Sequence, residues 1–206
     1  MTHILYVDFS PRVERSVSRS LTKEFITAWE QQHPNDTVTY RDIGQYPVPP
    51  VDEAWIAAAF SSSDKISPHL ATALTISDEL IDELLAADRY VFGVPMYNFS
   101  VPANLKAYID QIVRVQRTFA MGADGEKGLV KDKKMLVITA RGGSYSASTP
   151  TAHLDFQEPY LRAIFGFIGI TDITFIHAEN LTMGDEARQQ SLTAAQTAIQ
   201  ALISSW

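Results

Sequence analysis

Short apolar runs alternate with amphipathic helical segments along the whole chain, and this alternation limits the possible folds more than any other feature. The five runs are apolar in successive positions, as strands buried on both faces of a parallel sheet must be. The segments between them repeat their apolar residues with a helical period of about 3.6 residues. Right-handed strand–helix–strand units built in this way pack as one α/β domain, predicted over residues 1–206, with helices on both faces of a five-stranded parallel sheet. The predicted strands are residues 3–8, 38–41, 90–94, 134–139 and 173–177.

The helices are predicted from periodicity and capping residues. Helical patterns start near Ser16, Ala103 and Asp155. A further helix, the last of the chain, carries its apolar residues between Leu192 and Ile203 on one side. Ser67 followed by Pro68 predicts an N-cap and first position of a helix that continues to Leu85.

Two segments depart from this regular alternation. Residues 43–68 contain four prolines and predict an excursion over the expected ligand site with one short helix around Glu53–Phe60. Residues 118–128 carry three glycines in their last seven positions and predict a loop or a hairpin.

Composition excludes several classes of function. The net charge of −7 argues against a nucleic-acid surface, although a helix N-terminus can still bind an anionic small ligand. The absence of cysteine excludes disulfides, thiolate metal sites and cysteine nucleophiles. The five histidines lack ligand spacing and no Gly-x-Ser-x-Gly motif occurs, so neither a metal site nor a hydrolase nucleophile is expected. Without a signal sequence or a membrane-spanning apolar run, a cytoplasmic protein with no membrane contact is expected.

Candidate binding residues follow strands one, three and four, whose carboxyl ends meet at one edge of such a sheet. The first loop lacks the lysine of a Walker A loop and the glycines of a dinucleotide fingerprint. It carries the hydroxyls of Ser10, Ser16 and Ser18 and the guanidinium groups of Arg12 and Arg15 beside a helix start. Those groups are typical of a phosphomonoester site, although Ser16 alone would also be explained as an N-cap.

The second loop, Met96 to Phe99, is rich in aromatic residues and lies between Pro95 and Pro102. Asn98 can donate and accept hydrogen bonds in one plane, which matches the edge of a heterocyclic ring. Met96 and Tyr97 would supply an apolar wall. The alternative is an ordinary turn with exposed aromatic side chains.

The third loop contains Arg141, Gly142 and Gly143. Paired glycines let a backbone approach a ligand closely and direct N–H groups toward it, although a flexible turn is an equally simple explanation. Tyr145 follows closely and could stack on a ligand or donate a proton. Phe119 is interpreted as a lid over a flat substrate, a dimer contact or an ordinary packing residue. Sites for a phosphate and a planar heterocycle, without a protein nucleophile, predict FMN, which would itself carry the chemistry.

The sequence resembles the FMN-dependent NADH-azoreductases, which are flavodoxin-like quinone reductases. The resemblance spans essentially the whole chain and implies a three-layer flavodoxin-like fold. The motifs that carry it are Ser10 with Ser16–Ser18, Pro95–Phe99 with Pro102 and Leu105–Lys106, Ala140–Gly143, and Phe165–Ile170.

The resemblance also implies the activity and the roles of individual residues. It implies a homodimer in which NADH or NADPH reduces FMN and leaves before a quinone or an azo compound enters, so that no side chain is itself catalytic. The FMN phosphate would bind at Ser10, Ser16, Val17 and Ser18, the ring at Met96, Tyr97, Asn98 and Phe99, and the pyrimidine end and ribityl chain at Ala140, Arg141, Gly142 and Gly143. Phe119 would cover the flavin face, and Tyr145 is a candidate for substrate binding and proton donation.

Two other classes of function are consistent with the residues. One is a flavodoxin-type carrier that passes single electrons to protein partners. The other is an α/β interaction module without a ligand. The physiological acceptor and the choice between NADH and NADPH do not follow from the sequence.

Overall fold

The central sheet contains five parallel strands in the order β2-β1-β3-β6-β7. The computed structural model describes residues 1–61, 68–123 and 125–206. Two further strands, β4 and β5, pair antiparallel as a separate hairpin, which is one of the two predictions for residues 118–128. In chain order the strands are β1 (His3–Asp8), β2 (Thr37–Asp42), β3 (Arg89–Pro95), β4 (Phe119–Gly122), β5 (Gly125–Gly128), β6 (Lys134–Ala140) and β7 (Asp172–Ala178).

Helices cover both faces of this sheet, which confirms the predicted three-layer flavodoxin-like fold. On one face α4, α5 and α6 bury apolar residues against the sheet, and on the other face α1 and α7 do so. None of the described helices is long and apolar enough to cross a membrane. The helices are α1 (Val17–Gln32), α2 (Glu53–Ala59), α3 (Pro68–Ala73), α4 (Thr75–Ala86), α5 (Ala103–Ile112), α6 (Glu158–Ile168) and α7 (Asp185–Ile203).

Strand β3 lies at the centre of the sheet and divides its side chains between the two cores. Tyr90, Phe92 and Val94 point into one core, and Val91 points into the other. Phe92 makes edge-on contacts with several neighbouring rings, and those of Phe9 and Phe165 lie 5.3 and 5.7 Å away. This packing fixes the strand from which the second loop, Met96 to Phe99, leaves.

Two predicted helices differ from those observed. The helix expected from Pro68 to Leu85 is divided at Leu74, because α3 and α4 pack in different hydrophobic clusters. Leu74 packs with Trp55 and Ala58 in a small cluster of its own, whereas α4 packs on the sheet. The proposed N-cap, Ser67, lies outside the described residues.

The helix expected from Asp155 begins three residues later, at Glu158. Asp155 stays outside the helix, and its carboxylate accepts hydrogen bonds from the backbone N–H groups of Gln157 and Glu158 at 2.9 and 3.0 Å. Asp155 therefore precedes the helix, and its carboxylate satisfies two N–H groups at the helix start.

Replacing Phe92 tests how much the central strand depends on its aromatic core. Phe92→Ala is expected to lower the free energy of unfolding by about 3–5 kcal/mol, because the deletion leaves a cavity among fixed rings. Tyr46→Ala is the matched control, since the Tyr46 side chain is 80% exposed. Its effect should stay within about 0.5 kcal/mol in urea denaturation, and equal losses for both variants would contradict this account.

Candidate ligand-binding site

A cavity opens at the carboxyl ends of β1, β3 and β6, where the three predicted loops meet. We call it the strand-end cavity. It brings together most of the predicted cofactor-binding residues, whereas Asn98, Phe99 and Gly143 lie beside it in the chain. Its predicted lining residues are Ser10, Ser16, Val17, Ser18, Met96, Tyr97, Ala140, Arg141 and Gly142, and the other lining residues are Arg12, Arg15, Pro95, Leu181, Thr182 and Arg188.

The start of α1 has the groups needed to bind an anion. Ser16 is the N-cap, and its hydroxyl accepts a hydrogen bond from the backbone N–H of Arg19 at 3.4 Å. The N–H groups of Val17 and Ser18 lie in the first helical turn, where no preceding helical carbonyl is available to them. The hydroxyls of Ser16 and Ser18 are 3.3 Å apart, and both residues are buried. This arrangement, with the positive end of the helix dipole, suits a phosphate group.

Two arginines add positive charge at the mouth of this site. Arg12 and Arg15 are exposed and line the strand-end cavity. Among the described residues, neither guanidinium takes part in an ion pair. Their charge is therefore available to an anionic ligand in a chain whose net charge is −7.

The second loop, Met96 to Phe99, forms a tight turn that we call the aromatic rim, and it holds Phe99 in a conformation that a bulky residue does not favour. Tyr97 and Ser100 exchange both backbone hydrogen bonds, at 3.0 and 3.1 Å. The two residues between them have positive φ angles, 47° for Asn98 and 70° for Phe99. Asn tolerates this region, but a bulky residue such as Phe is strained there. Strain of this kind tends to occur at ligand-binding sites.

Neighbouring loops support the rim from its open side. The carbonyl of Phe99 accepts a hydrogen bond from the N–H of Phe156 at 3.0 Å. The ring of Tyr145 meets the ring of Phe99 edge-on, with centroids 6.1 Å apart. Tyr145 therefore links the second and third predicted loops through an aromatic contact.

The third loop is bonded through its carbonyl groups to the segment that follows β7. The carbonyls of Arg141, Gly142 and Gly143 each accept a hydrogen bond at 3.1 Å from N–H groups of residues 180–182. Because the C=O and N–H of a trans peptide point in opposite directions, the N–H groups of Gly142 and Gly143 point away from that segment. These two N–H donors therefore remain available to a ligand.

The side chain of Arg141 is buried below the loop. Its Nη1 contacts Asp155 at 2.9 Å and Glu179 at 3.4 Å, while Nε donates to Gln157 at 3.0 Å. Glu179 also accepts hydrogen bonds from Ser144 Oγ at 2.6 Å and the Tyr145 N–H at 3.0 Å. The ion pairs thus attach the loop to the segment just before α6 and to the end of β7.

Sequence reasoning missed the residues that follow β7. Leu181, Thr182 and Arg188 line the strand-end cavity, and Thr182 Oγ1 donates to the Gly142 carbonyl at 3.0 Å. The available signal was that the fifth predicted strand, being parallel, also ends at this edge of the sheet.

Phe119 lies apart from the other predicted site residues. It lines a second cavity, of about 350 Å³, together with Trp55 of α2 and Ile109 of α5. Its ring packs on Phe167, with centroids 4.8 Å apart. Within one chain, Phe119 therefore does not line the strand-end cavity.

Two substitutions of Phe99 test the strain in the rim. Phe99→Gly and Phe99→Ala both remove the ring, but only glycine adopts a positive φ without a steric cost. In urea denaturation of the ligand-free protein, the Gly variant should be more stable than the Ala variant by about 1 kcal/mol. A less stable Gly variant would contradict the strain.

Replacing Arg141 tests the ion pairs below the third loop. Arg141→Met should lower the free energy of unfolding by about 3–5 kcal/mol, because Asp155 and Glu179 are left partly buried without a counter-charge. The control is Lys106→Met, which removes the pair with Asp110 on the surface of α5. That loss should be at most about 1 kcal/mol, since both side chains are solvated. Similar losses for the two variants would show that burial does not matter here.

Comparison with known proteins agrees with this fold. A family model described as a flavodoxin-like fold matches residues 2–203. FMN-dependent NADH:quinone oxidoreductase 1 of Trichormus variabilis is 63% identical over 203 residues, covering 98% of this chain and 96% of the relative. The FMN-dependent NADH:quinone oxidoreductase of a Nostoc species is 61% identical over 207 residues, covering 100% of both chains.

Solved structures extend the comparison. The structure of an azoreductase from Bacillus anthracis strain Sterne is 30% identical, with a TM-score of 0.92 and full coverage of both chains. An FMN-dependent NADH-azoreductase from Bacillus anthracis strain Ames Ancestor, solved in complex with FMN, is 26% identical with a TM-score of 0.85. It covers 98% of this chain and 99% of its own. With these matches over its full length, the chain belongs to the flavodoxin-like family of FMN-dependent NADH:quinone oxidoreductases and azoreductases.

Proposed function

We propose that this protein is an FMN-dependent NADH:quinone oxidoreductase, which also cleaves aromatic azo compounds to amines. The observation that carries the proposal is the identity of 61–63% with quinone oxidoreductases over essentially the whole chain. Azo cleavage is supported by the likeness to azoreductases across the same length. The relatives' names specify NADH, so NADH rather than NADPH is the proposed donor.

The donor groups of the strand-end cavity fit FMN. Hydroxyls of Ser10, Ser16 and Ser18, together with N–H groups at the start of α1, match a phosphate dianion. At the third loop, a Cβ at Gly142 would lie 3.2 Å from Thr182 Oγ1. A larger residue would therefore press against Thr182 in the part of the loop where the protein backbone must lie close to the ligand.

The mechanism assigns each group of residues a distinct task. Bound FMN would supply the two-electron redox chemistry that links NADH to the acceptor. Ser10 and Ser16 to Ser18 hold its phosphate, and the loop from Ala140 to Gly143 holds its pyrimidine end and ribityl chain. The loop from Met96 to Phe99 would pack against the ring, and Asn98 would hydrogen-bond to the ring edge. The N–H groups of Gly142 and Gly143 would stabilise negative charge on the bound ring, as the donors of an oxyanion hole do.

The proposed assembly is a homodimer with residues of both subunits at each flavin. Phe119 is implied to cover a flavin face, yet in one chain it lines the other cavity. A second copy of the chain would bring Phe119 to the flavin of its neighbour. Exposed apolar side chains near that cavity, Phe60 at 75% and Phe167 at 37%, support such a contact.

Tyr145, at the rim, is the proposed proton donor. The use of NADH is consistent with a cytoplasmic location.

The proposed reaction is tested by anaerobic titration of the FMN-loaded protein with NADH. The visible absorbance of the flavin should bleach with one equivalent of NADH and return when benzoquinone is added. A protein that NADH does not reduce, but that dithionite reduces in two separate one-electron stages, would instead be a flavodoxin-type carrier. A protein that does not take up FMN would contradict both functions.

Asn98→Ala tests the proposed contact with the ring edge. Loss of one hydrogen bond should raise the dissociation constant for FMN, or slow flavin reduction by NADH, by about 3- to 10-fold. Asn35→Ala is the control, because Asn35 is exposed in the turn before β2, at the amino ends of the strands. Unchanged binding and reduction in the Asn98 variant would remove Asn98 from the site.

A further inference from the structure

Arg19 lies below the first loop and bonds directly to its backbone. The guanidinium donates twice to the carbonyl oxygen of Ser10, from Nε at 3.0 Å and from Nη2 at 2.7 Å. On its other side, Nη1 and Nη2 both donate to the carboxylate of Asp42 at the end of β2. The side chain is 11% exposed and does not line the strand-end cavity. Arg19 therefore connects Ser10 to β2 from behind the site.

The charge of this guanidinium is paired with carboxylates of the protein itself. Burial alone lowers the pKa of Arg19, but the hydrogen bond with Asp42 and the charges of Asp8 and Asp42 raise it above its ordinary value. The carboxylate of Asp42 balances the positive charge at close range, and that of Asp8 lies 3.5 Å away. Arg12 and Arg15, by contrast, face the cavity as exposed cations. Arg19 is thus placed to hold the loop, and the other two arginines to meet an anion.

The segment that follows β2 is shaped to permit this contact. A Cβ at Gly44 would lie 2.0 Å from the Ser10 carbonyl oxygen and 2.5 Å from Arg19 Nη2, so no larger residue fits there. The N–H of Gly44 donates to the carbonyl of Asp8 at 2.9 Å, and Gln45 Nε2 donates to the carbonyl of Pro11 at 2.7 Å. The segment that follows β2 therefore holds the carbonyls of Asp8 and Pro11, and Arg19 of α1 holds that of Ser10 between them.

The same contacts set the direction of the groups that face the cavity. With its carbonyl turned toward Arg19, Ser10 has its hydroxyl beside the N–H of Arg12, at 3.3 Å. Arg19 also belongs to the first turn of α1, where its N–H is capped by Ser16. One residue therefore joins both ends of the loop, Ser10 and Ser16, whose hydroxyls are proposed phosphate ligands.

We propose that Arg19 is a positioning residue that preforms the β1–α1 loop for the phosphate group of the cofactor. This inference rests on the proposed function, since it takes FMN as the ligand. A preformed loop loses less conformational entropy when the ligand binds, so the benefit belongs to the part of the ligand that the loop contacts. Arg19 should therefore favour FMN over riboflavin, which has the same ring but lacks the phosphate.

The test compares the binding of FMN and of riboflavin to the ligand-free protein by quenching of flavin fluorescence. Arg19→Met should raise the dissociation constant for FMN by about tenfold or more, the loss expected for charged hydrogen bonds. The constant for riboflavin should change less than about twofold, because its contacts lie elsewhere. Arg41→Met is the matched control, since Arg41 directly precedes Asp42 on β2 and pairs with Glu79 and Glu83 instead. It should leave the ratio of the two constants unchanged.

Two milder variants carry the test if Arg19→Met does not fold. Arg19→Lys retains the charge but cannot bond Ser10 and Asp42 together as a planar guanidinium does. Asp42→Asn weakens the anchor without touching the cavity. Both should lower the preference for FMN over riboflavin, by less than Arg19→Met does.

The possible results separate this inference from the proposed function. Equal weakening of FMN and riboflavin, or unchanged FMN binding in all the Arg19 and Asp42 variants, would overturn the positioning role alone. A wild-type protein that binds no FMN would overturn the proposed function and this inference with it. A wild-type protein that binds FMN but is not reduced by NADH would overturn the proposed activity and leave the role of Arg19 intact.

Discussion

The parallel pairing of the central strands is the constraint on which the site depends. Because β1, β3, β6 and β7 all run in one direction, the loops that follow them emerge at one edge of the sheet. The strands are held in place by two separate cores, and the loops above this edge differ in composition. Hydroxyls, an aromatic turn and a pair of glycines thus come together although they are far apart in the chain.

Buried charges stabilise these loops from behind. Arg19 ties the first loop to Asp42, and Arg141 ties the third loop to Asp155 and Glu179. Each guanidinium satisfies backbone or side-chain oxygens that would be costly to bury alone. The same separation of tasks occurs twice: a buried arginine fixes a loop, and backbone N–H groups of that region face the cavity.

The rim shows a different solution. Asn98 and Phe99 hold positive φ angles in a two-residue turn that would ordinarily contain glycine. A glycine would remove the strain but also the aromatic surface, which meets Tyr145 edge-on. Placing the proposed flavin wall on a strained turn is consistent with selection for binding rather than for stability.

The sequence by itself determined the five strands, the layers of helices and the three loops of the site, because apolar periodicity and turn residues act locally. It also predicted FMN through the grouping of serines, aromatic residues and glycines. Only the tertiary structure decided where α3 and α4 divide, that the segment after β7 completes the cavity, and that Phe119 lies apart from it. It alone revealed which of Arg12, Arg15, Arg19 and Arg141 are buried in ion pairs. The physical reason is that burial and charge pairing join residues distant in sequence, so no local pattern records them.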